Sequence, residues 1–360
     1  MPRSFAPLLA AATLALTLPG VAADFVHPGL LHNAEDLASM KVKVWRQDEP
    51  WKSAWNSFQS EKVASLKWKP SPVADVIRGV SNNPDIGSSA MMCDSAAAYA
   101  HALEWAINGN QAHADKAIEI LNAWSSTLKS IGGHDEKLIA GLTAAKFCNA
   151  AEILRYTKSG WQPVDIERFR TMLLTIFYPE LENFFPKANG NWEASMINSM
   201  LCIAIFCDDH QKFDRAVNYF RQGEGKGAIT HYVFESGQCQ ESTRDQAHTQ
   251  LGLGLLAASC EVAWKQGVDL YGAANNRLAA GFEYTAKYNL GNDVPCEGKI
   301  SPIARGTFRP IYEKVYQHYV FGKGLQMPFT RQVLQKIRPE GWHADHESWE
   351  TLTSVKNPEL

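Results

Sequence analysis

The chain is dominated by helix-length segments that follow one another with short turns between them. Their apolar residues recur at helical spacing, and Gly and Asn mark their ends, as at Asn108-Gly-Asn110, Gly132-Gly133 and Ser159-Gly160. A new segment begins about every 20 to 25 residues. Short connections between helices of similar length are typical of antiparallel helical hairpins. The pattern therefore predicts an all-α protein.

The predicted helices span residues 33–46, 50–58, 90–108, 112–130, 138–157, 164–178, 191–207, 211–222, 243–266, 270–288, 312–322 and 330–337. These are too many for a four-helix bundle, and the sequence has no repeat signature of a solenoid. We therefore predict an α/α toroid, an incomplete α/α barrel of antiparallel helical hairpins. One set of loops and helix ends would build its cleft.

Strand signals are few in this sequence. The best short candidate is His231-Tyr-Val-Phe234. Residues 67–85 are rich in Pro and Asn without a clear period, and they predict a long loop that packs on or arches over the body.

The first residues predict an export signal rather than part of the fold. A positive start at Met1-Pro-Arg3 precedes an apolar run, and small residues end it at Val21-Ala22-Ala23. We expect cleavage after Ala23, a single domain over residues 24–360, and a secreted or periplasmic protein. No later stretch reaches the ~18 apolar residues of a membrane span, so we expect no membrane partner.

Composition narrows the partners further. The net charge of −3 shows no basic excess, which argues against nucleic-acid binding. Eleven Trp residues favour a saccharide partner, because indole rings are common platforms for sugars. Seven Cys leave at least one unpaired or paired with another chain, and the sequence does not assign connectivity. We expect a monomer without cofactors.

A polar stripe interrupts the helical pattern at Glu241, Arg244, Asp245 and His248. Residues at i, i+3, i+4 and i+7 share one face of a helix, and the segment that follows is apolar. Burying four titratable groups without partners would cost several kcal/mol each. The stripe is therefore either a structural ion-pair network or the lining of a wet cavity.

Three more clusters offer polar groups. Asn191 and Trp192 stand at the start of a predicted helix, where the Asn is either an N-cap or a ligand for a sugar carboxylate. The segment from Arg305 to Tyr319 concentrates two Arg, three Tyr and a His, and each Tyr is either core or site. His343-Ala-Asp-His346 lacks a further ligand nearby, so we predict no metal site.

In order along the chain, four motifs resemble the alginate lyase superfamily, and within it polysaccharide lyase family thirty-eight, whose members cleave alginate or glucuronan. They are His27-Pro-Gly-Leu-Leu31, Gly190-Asn-Trp-Glu-Ala-Ser195, Glu241-Ser-Thr-Arg-Asp-Gln-Ala-His248 and Arg309-Pro-Ile-Tyr-Glu-x-x-Tyr-x-His-Tyr319. The resemblance covers nearly the whole mature chain. It implies an α/α toroid that cleaves a polyuronate by β-elimination. In family-five alginate lyases an Asn-His pair opens the corresponding motif, whereas Trp192 follows Asn191 here.

The chemistry implied by the resemblance suits these residue types. Asn191, His248 and an Arg can hydrogen-bond a uronate carboxylate and stabilise the enolate-like charge that develops after loss of the C5 proton. Since Trp192 replaces the family-five His, His248 is the natural acid–base candidate. A neighbouring Arg favours tyrosinate, so we expect a Tyr beside an Arg in the site.

Two Arg–Tyr pairs share the same spacing, and the sequence does not separate them. Arg305 with Tyr312 is our first candidate pair for catalysis, because Pro310 would leave Tyr312 in an exposed first helical turn. Arg309 with Tyr316 is the second. The remaining candidates for binding an acidic polysaccharide are Trp192, Arg244 and Glu241. A polyanionic substrate prefers a positive surface. Since the whole chain is slightly negative, we expect the cleft itself to be locally basic.

Two other functions remain open at this point. A glycoside hydrolase on the same fold needs two carboxylates about 6.5–9.5 Å apart for inversion, and Glu241 and Asp245 are too close along one helix to flank a substrate. A non-catalytic uronate-binding protein would bind in the same cleft without turnover.

Overall fold

The computed structural model describes residues 24–360. The predicted export signal, residues 1–23, lies outside the described residues. Buried apolar side chains form one connected core that extends from Leu30 near the start to Val355 near the end. No helix of the described residues is long and apolar enough to cross a membrane.

Fifteen α-helices occur in residues 24–360. They are α1 (Ala34–Arg46), α2 (Trp51–Ser60), α3 (Ser88–Asn108), α4 (Gln111–Thr127), α5 (Glu136–Arg155), α6 (Pro163–Met172), α7 (Tyr178–Leu181), α8 (Gly190–Phe206), α9 (His210–Gln222), α10 (Ile229–Tyr232), α11 (Gln246–Lys265), α12 (Ala273–Asn289), α13 (Glu313–Tyr316), α14 (Pro328–Ile337) and α15 (Glu350–Thr353). Two π-helical turns, Leu173–Phe177 and Gln317–Gly322, extend α6 and α13.

The long helices form an inner and an outer layer. Helices α3, α5, α8 and α11 pack side by side in that order, and α4, α9 and α12 pack outside them. Helices α5 and α8 are buried on nearly every side, as expected for an inner layer. Helix α9 buries one stripe, formed by Phe213, Ala216, Val217 and Phe220, as expected for an outer helix. The predicted α/α toroid is confirmed.

Two predictions about extended structure were wrong. Residues 67–85 contain a hairpin of β1 (Asp75–Val80) and β2 (Asn83–Ile86), and β1 also pairs in parallel with β3 (Ser130–Gly132). Since β3 is distant in sequence, local patterns did not reveal this pairing. Residues 231–234 are not a strand: α10 ends at Tyr232, and Val233 forms one isolated bridge with Cys239.

The cysteines stay unpaired. All seven lie within residues 24–360 and none forms a disulfide there. Five of them, Cys148, Cys202, Cys207, Cys239 and Cys260, are buried and pack as small apolar side chains.

Candidate active site

A cleft of about 640 Å³ opens where three inner helices begin. Helix α8 packs between α5 and α11, and residues at the N-terminal ends of all three helices line the cleft. Each helix N-terminus carries a partial positive charge and N–H groups without helical partners. The cleft therefore attracts anions, although the whole chain carries a net charge of −3. Its lining residues are Arg78, Val80, Ser81, His134, Asp135, Leu138, Phe185, Lys187, Ala188, Asn189, Asn191, Trp192, Arg244 and His248.

Tyr232 holds the starts of α8 and α11 together. Its hydroxyl donates to the backbone carbonyl of Thr249 at 3.0 Å, and its ring fills the space left by Gly190 and Gly252. A Cβ at Gly190 would come within 2.4 Å of the ring, and one at Gly252 within 2.1 Å of the hydroxyl. Small residues at both positions thus fix the distance between Asn191 and His248.

Asn191 lines the cleft from the first turn of α8. Its side chain is fully buried, yet neither its amide nitrogen nor its oxygen has a hydrogen-bond partner among the described residues. Asn189, not Asn191, occupies the N-cap position of α8. The N-cap interpretation of Asn191 was therefore wrong. A buried unpaired amide requires an explanation, and an incoming ligand supplies one.

His248, Asp245 and Arg244 form a cluster at the start of α11, which we call the α11 cluster. Asp245 is the N-cap and accepts from the His248 backbone at 2.7 Å. Its second oxygen, Oδ2, lies 2.6 Å from His248 Nδ1, so the other ring nitrogen, Nε2, is left for the cavity. The Arg244 Nε lies 3.9 Å from the same Asp245 oxygen. Burial acts to raise the pKa of Asp245, but the two hydrogen bonds from His248 and the charges of His248 and Arg244 together lower it.

The polar stripe does not lie on one helix face, so that prediction was wrong. A 3₁₀ turn covers Gln240–Thr243, and α11 starts only at Gln246 because Asp245 caps it. Glu241 is buried behind Arg244, whose Nη1 lies 3.5 Å from the Glu241 carboxylate. Burial raises the pKa of Glu241, although Arg244, His248 and the Asn191 backbone N–H oppose that rise.

A second cluster, which we call the α5 cluster, joins Arg78, His134 and Asp135 at the start of α5. Asp135 holds His134 Nδ1 at 2.6 Å, and the Arg78 Nε lies 3.9 Å from the same carboxylate. Gly133 has a φ of +99°, and a Cβ there would lie 2.4 Å from the Arg78 carbonyl, so glycine permits the close approach. This cluster is not among the residues predicted from the sequence, although a His-Asp pair follows a Gly-Gly turn directly before a helix.

Aromatic rings border the same space. The Trp192 ring is 6.1 Å from His134 and 5.9 Å from Phe185, measured between ring centroids. Phe185 is positioned by Glu193, which accepts from its backbone N–H at 3.3 Å. Trp192 is therefore placed to contact a sugar ring between the α5 cluster and Asn191.

The structure does not bring the predicted tyrosines into this cleft. Tyr312 precedes α13 and is fully buried, so the expected exposed first turn was wrong. Its hydroxyl donates to Gln250 at 2.9 Å, and burial raises its pKa. Tyr316 is buried near Arg331 and Arg338, and burial likewise raises its pKa.

The two predicted arginines of that segment also lie elsewhere. Arg305 donates to the backbone carbonyls of Tyr288 and Asn292 at 2.9 and 3.0 Å, and it stacks on the Tyr288 ring. Arg309 lines a separate cavity of about 270 Å³ with Trp342 and His343. The cleft obtains its positive charge from Arg244, Lys187 and the helix N-termini instead.

No group of three or more His, Cys, Asp or Glu side chains suited to a metal ion occurs within residues 24–360. The chemistry available in the cleft is that of Asn, Arg and two Asp-held histidines. Such a set can bind a carboxylate and transfer protons.

Solved structures of alginate lyases share this fold. An alginate lyase from Bacteroides ovatus matches 92% of this chain and 100% of its own, with 14% identity and a TM-score of 0.65. Alginate lyase A1-III from Sphingomonas species A1 matches 89% of this chain and 95% of its own, again with 14% identity and a TM-score of 0.65. A His→Ala variant of A1-III complexed with a tetrasaccharide matches with a TM-score of 0.66, 14% identity, and 90% and 95% coverage. Likeness at this identity shows the fold.

The sequence comparison supplies the family. The alginate lyase family model matches residues 51–294, which include both clusters and Asn191, and the chain belongs to this family of polysaccharide lyases. No curated protein matches the chain in sequence.

Proposed function

We propose that this lyase cleaves alginate, or a related 1,4-linked polyuronate such as glucuronan, by β-elimination. Family membership supports an acidic polysaccharide substrate, and three helix N-termini with Arg244 provide positive potential for it. The product would carry a 4,5-unsaturated uronate at its new non-reducing end.

The observation that carries the proposal is the buried side-chain amide of Asn191, which has no hydrogen-bond partner in the part of the chain that the structure describes. A buried amide without partners costs about 1–3 kcal/mol. A uronate supplies both missing partners, because its carboxylate accepts from Nδ2–H and a sugar hydroxyl donates to Oδ1. Binding there would place the uronate beside Arg244 and His248, which line the same cleft.

The reaction follows from that placement. Asn191 and Arg244 neutralise the carboxylate, which makes the C5 proton more acidic and stabilises the enolate-like charge that develops. His248 Nε2 removes the C5 proton, since Asp245 holds Nδ1 and stabilises the imidazolium. The electron pair forms the C4–C5 double bond, the C4–O4 bond breaks, and the leaving O4 oxygen takes up a proton to become a hydroxyl group.

One assay tests the proposal. The purified protein is incubated with alginate, polymannuronate, polyguluronate and glucuronan, and near-ultraviolet absorbance of the unsaturated product is followed. We expect absorbance to rise on at least one polyuronate. New reducing ends without absorbance would indicate a hydrolase, and binding without either signal would indicate a carbohydrate-binding protein.

Replacing Asn191 distinguishes a role in turnover from a role in stability, because the two predict different results for the same variant. Asn191→Leu has a similar shape and removes an unpaired buried amide, so we expect unchanged or higher thermal stability. We expect turnover to fall by about 10²–10³-fold, as when one donor to a developing oxyanion is removed. A stable variant with normal turnover would contradict the assigned role of Asn191.

A further inference from the structure

We propose that His134 is a second proton-transfer residue, which protonates the leaving O4 oxygen while His248 removes the C5 proton. This inference rests on the proposed function. It adds a catalytic role for a residue that lies far from the α11 cluster in sequence.

Geometry is the first support. His134 and His248 line one cleft, at the starts of α5 and α11, with α8 and Asn191 between them. A uronate held at Asn191 therefore lies between the two imidazoles. β-Elimination needs one group to accept a proton and a source of a proton for the leaving oxygen.

The second support is the matching environment of the two rings. Each Nδ1 is 2.6 Å from an aspartate oxygen, and each aspartate has an arginine Nε at 3.9 Å. An aspartate at Nδ1 fixes the tautomer and stabilises the charged ring, so each histidine presents Nε2 as its exchanging nitrogen. The His134 side chain is 64% exposed, which allows direct contact with substrate and exchange with solvent.

The proton balance closes with these two residues. The C5–H bond breaks and its proton goes to neutral His248. The electron pair forms the C4–C5 double bond, the C4–O4 bond breaks, and O4 takes the proton of charged His134. Exchange with water then returns both rings to their starting states. The other ionisable groups that line the cleft are Arg78, Asp135, Lys187 and Arg244.

The test compares pH–rate profiles of His134→Ala, His134→Gln and His248→Ala with the wild type. Loss of an acid removes the fall in kcat/KM on the alkaline side, and loss of a base removes the fall on the acid side. We expect both His134 variants to lose about 10–100-fold in kcat and the alkaline fall. Added imidazole should restore part of the activity of His134→Ala, because the site is open to solvent.

The matched control is His231→Ala, which removes an exposed histidine that does not line the cleft. Melting temperatures verify that each variant is folded. If His134→Ala kept normal kcat, or changed only KM with both limbs of the profile intact, the proton-transfer role would be excluded while the lyase proposal stood. If the wild type formed no unsaturated product, both proposals would fail.

Discussion

The α11 cluster and the α5 cluster contain the same three residue types, but the chain assembles them differently. The α11 cluster lies within five consecutive residues, from Arg244 to His248. The α5 cluster takes Arg78 from a strand and His134 with Asp135 from the turn before a helix. One cluster is thus a local property of the chain, whereas the other exists only because β1 pairs with β3.

Their exposure also differs, and this difference separates their roles. The Arg244 side chain is 43% exposed, whereas that of Arg78 is 15% exposed. Arg244 is therefore available to a substrate carboxylate, while Arg78 mainly supports Asp135. The histidines show the reverse order, with His134 at 64% and His248 at 34%. His248 is the more enclosed of the two.

The largest effect is expected at His248. His248→Ala should lower kcat by at least about 100-fold, because it removes the group that we propose takes the C5 proton. Turnover is measured by product absorbance at saturating substrate, with His231→Ala as the folded control. Near-normal turnover of His248→Ala would remove the chemical distinction between the α11 cluster and an ordinary ion-pair network.

Replacing Arg244 and replacing Arg78 should affect different properties of the protein. A hydrogen bond between charged partners contributes about 1.5–3 kcal/mol, so Arg244→Gln should lower kcat/KM by about 10–100-fold. Arg78→Gln should leave substrate binding nearly unchanged and act mainly on the melting temperature. The measurement is kcat/KM for both variants at two salt concentrations. Equal losses in both would contradict the division of roles inferred from exposure.

A smaller difference is expected for the aspartates. Asp245→Ala should destabilise the fold by about 1 kcal/mol through loss of an N-cap. Asp135 makes no side-chain cap hydrogen bond, so Asp135→Ala should cost less by that route. Urea unfolding of both variants measures the difference, and a larger cost for Asp135→Ala would show that its ion pair matters more than the cap.

The smallest expected effect is a change, at low pH, in how much Asp245 stabilises the fold. The pKa of Asp245 lies below its ordinary value of 3.8 in the folded state. Ionised Asp245 therefore stabilises the fold fully above that value, and the contribution disappears as pH falls through the lower folded pKa. The stability gap between wild type and Asp245→Ala should narrow as pH falls below the ordinary value. A constant gap in chemical unfolding across that range would argue against ionic stabilisation by Asp245.

Some residues of the candidate site could be predicted from the sequence, and others could not. The sequence offers Asn191, Trp192, Arg244, Glu241 and His248 as candidates. All of these except Glu241 line one cleft, and Glu241 is buried behind Arg244. These residues lie close together because they belong to two segments, each of which begins an inner helix. The sequence alone does not indicate a role for His134, because the preceding Gly132-Gly133 predicts only the end of a helix.

The tyrosines show a different limit. Spacing in the segment from Arg309 to Tyr319 predicts a helix, but spacing alone does not say which side of that helix faces the core. Tyr312 proved to be buried against Gln250, and α13 continues into a π-helical turn. Burial depends on what packs against the segment, and here that is α11, which is distant in sequence.

The sequence by itself determined the helical hairpins and hence the toroid, because apolar spacing, N-caps and glycine turns act over a few residues. It also determined the α11 cluster, whose members are neighbours in the chain. Tertiary structure alone decided that α5, α8 and α11 begin at one cleft and that Arg78 meets His134 and Asp135 there. It also decided that the Asn191 side chain has no hydrogen-bond partner within residues 24–360. Those features depend on contacts between distant segments, which form only when the layers stack.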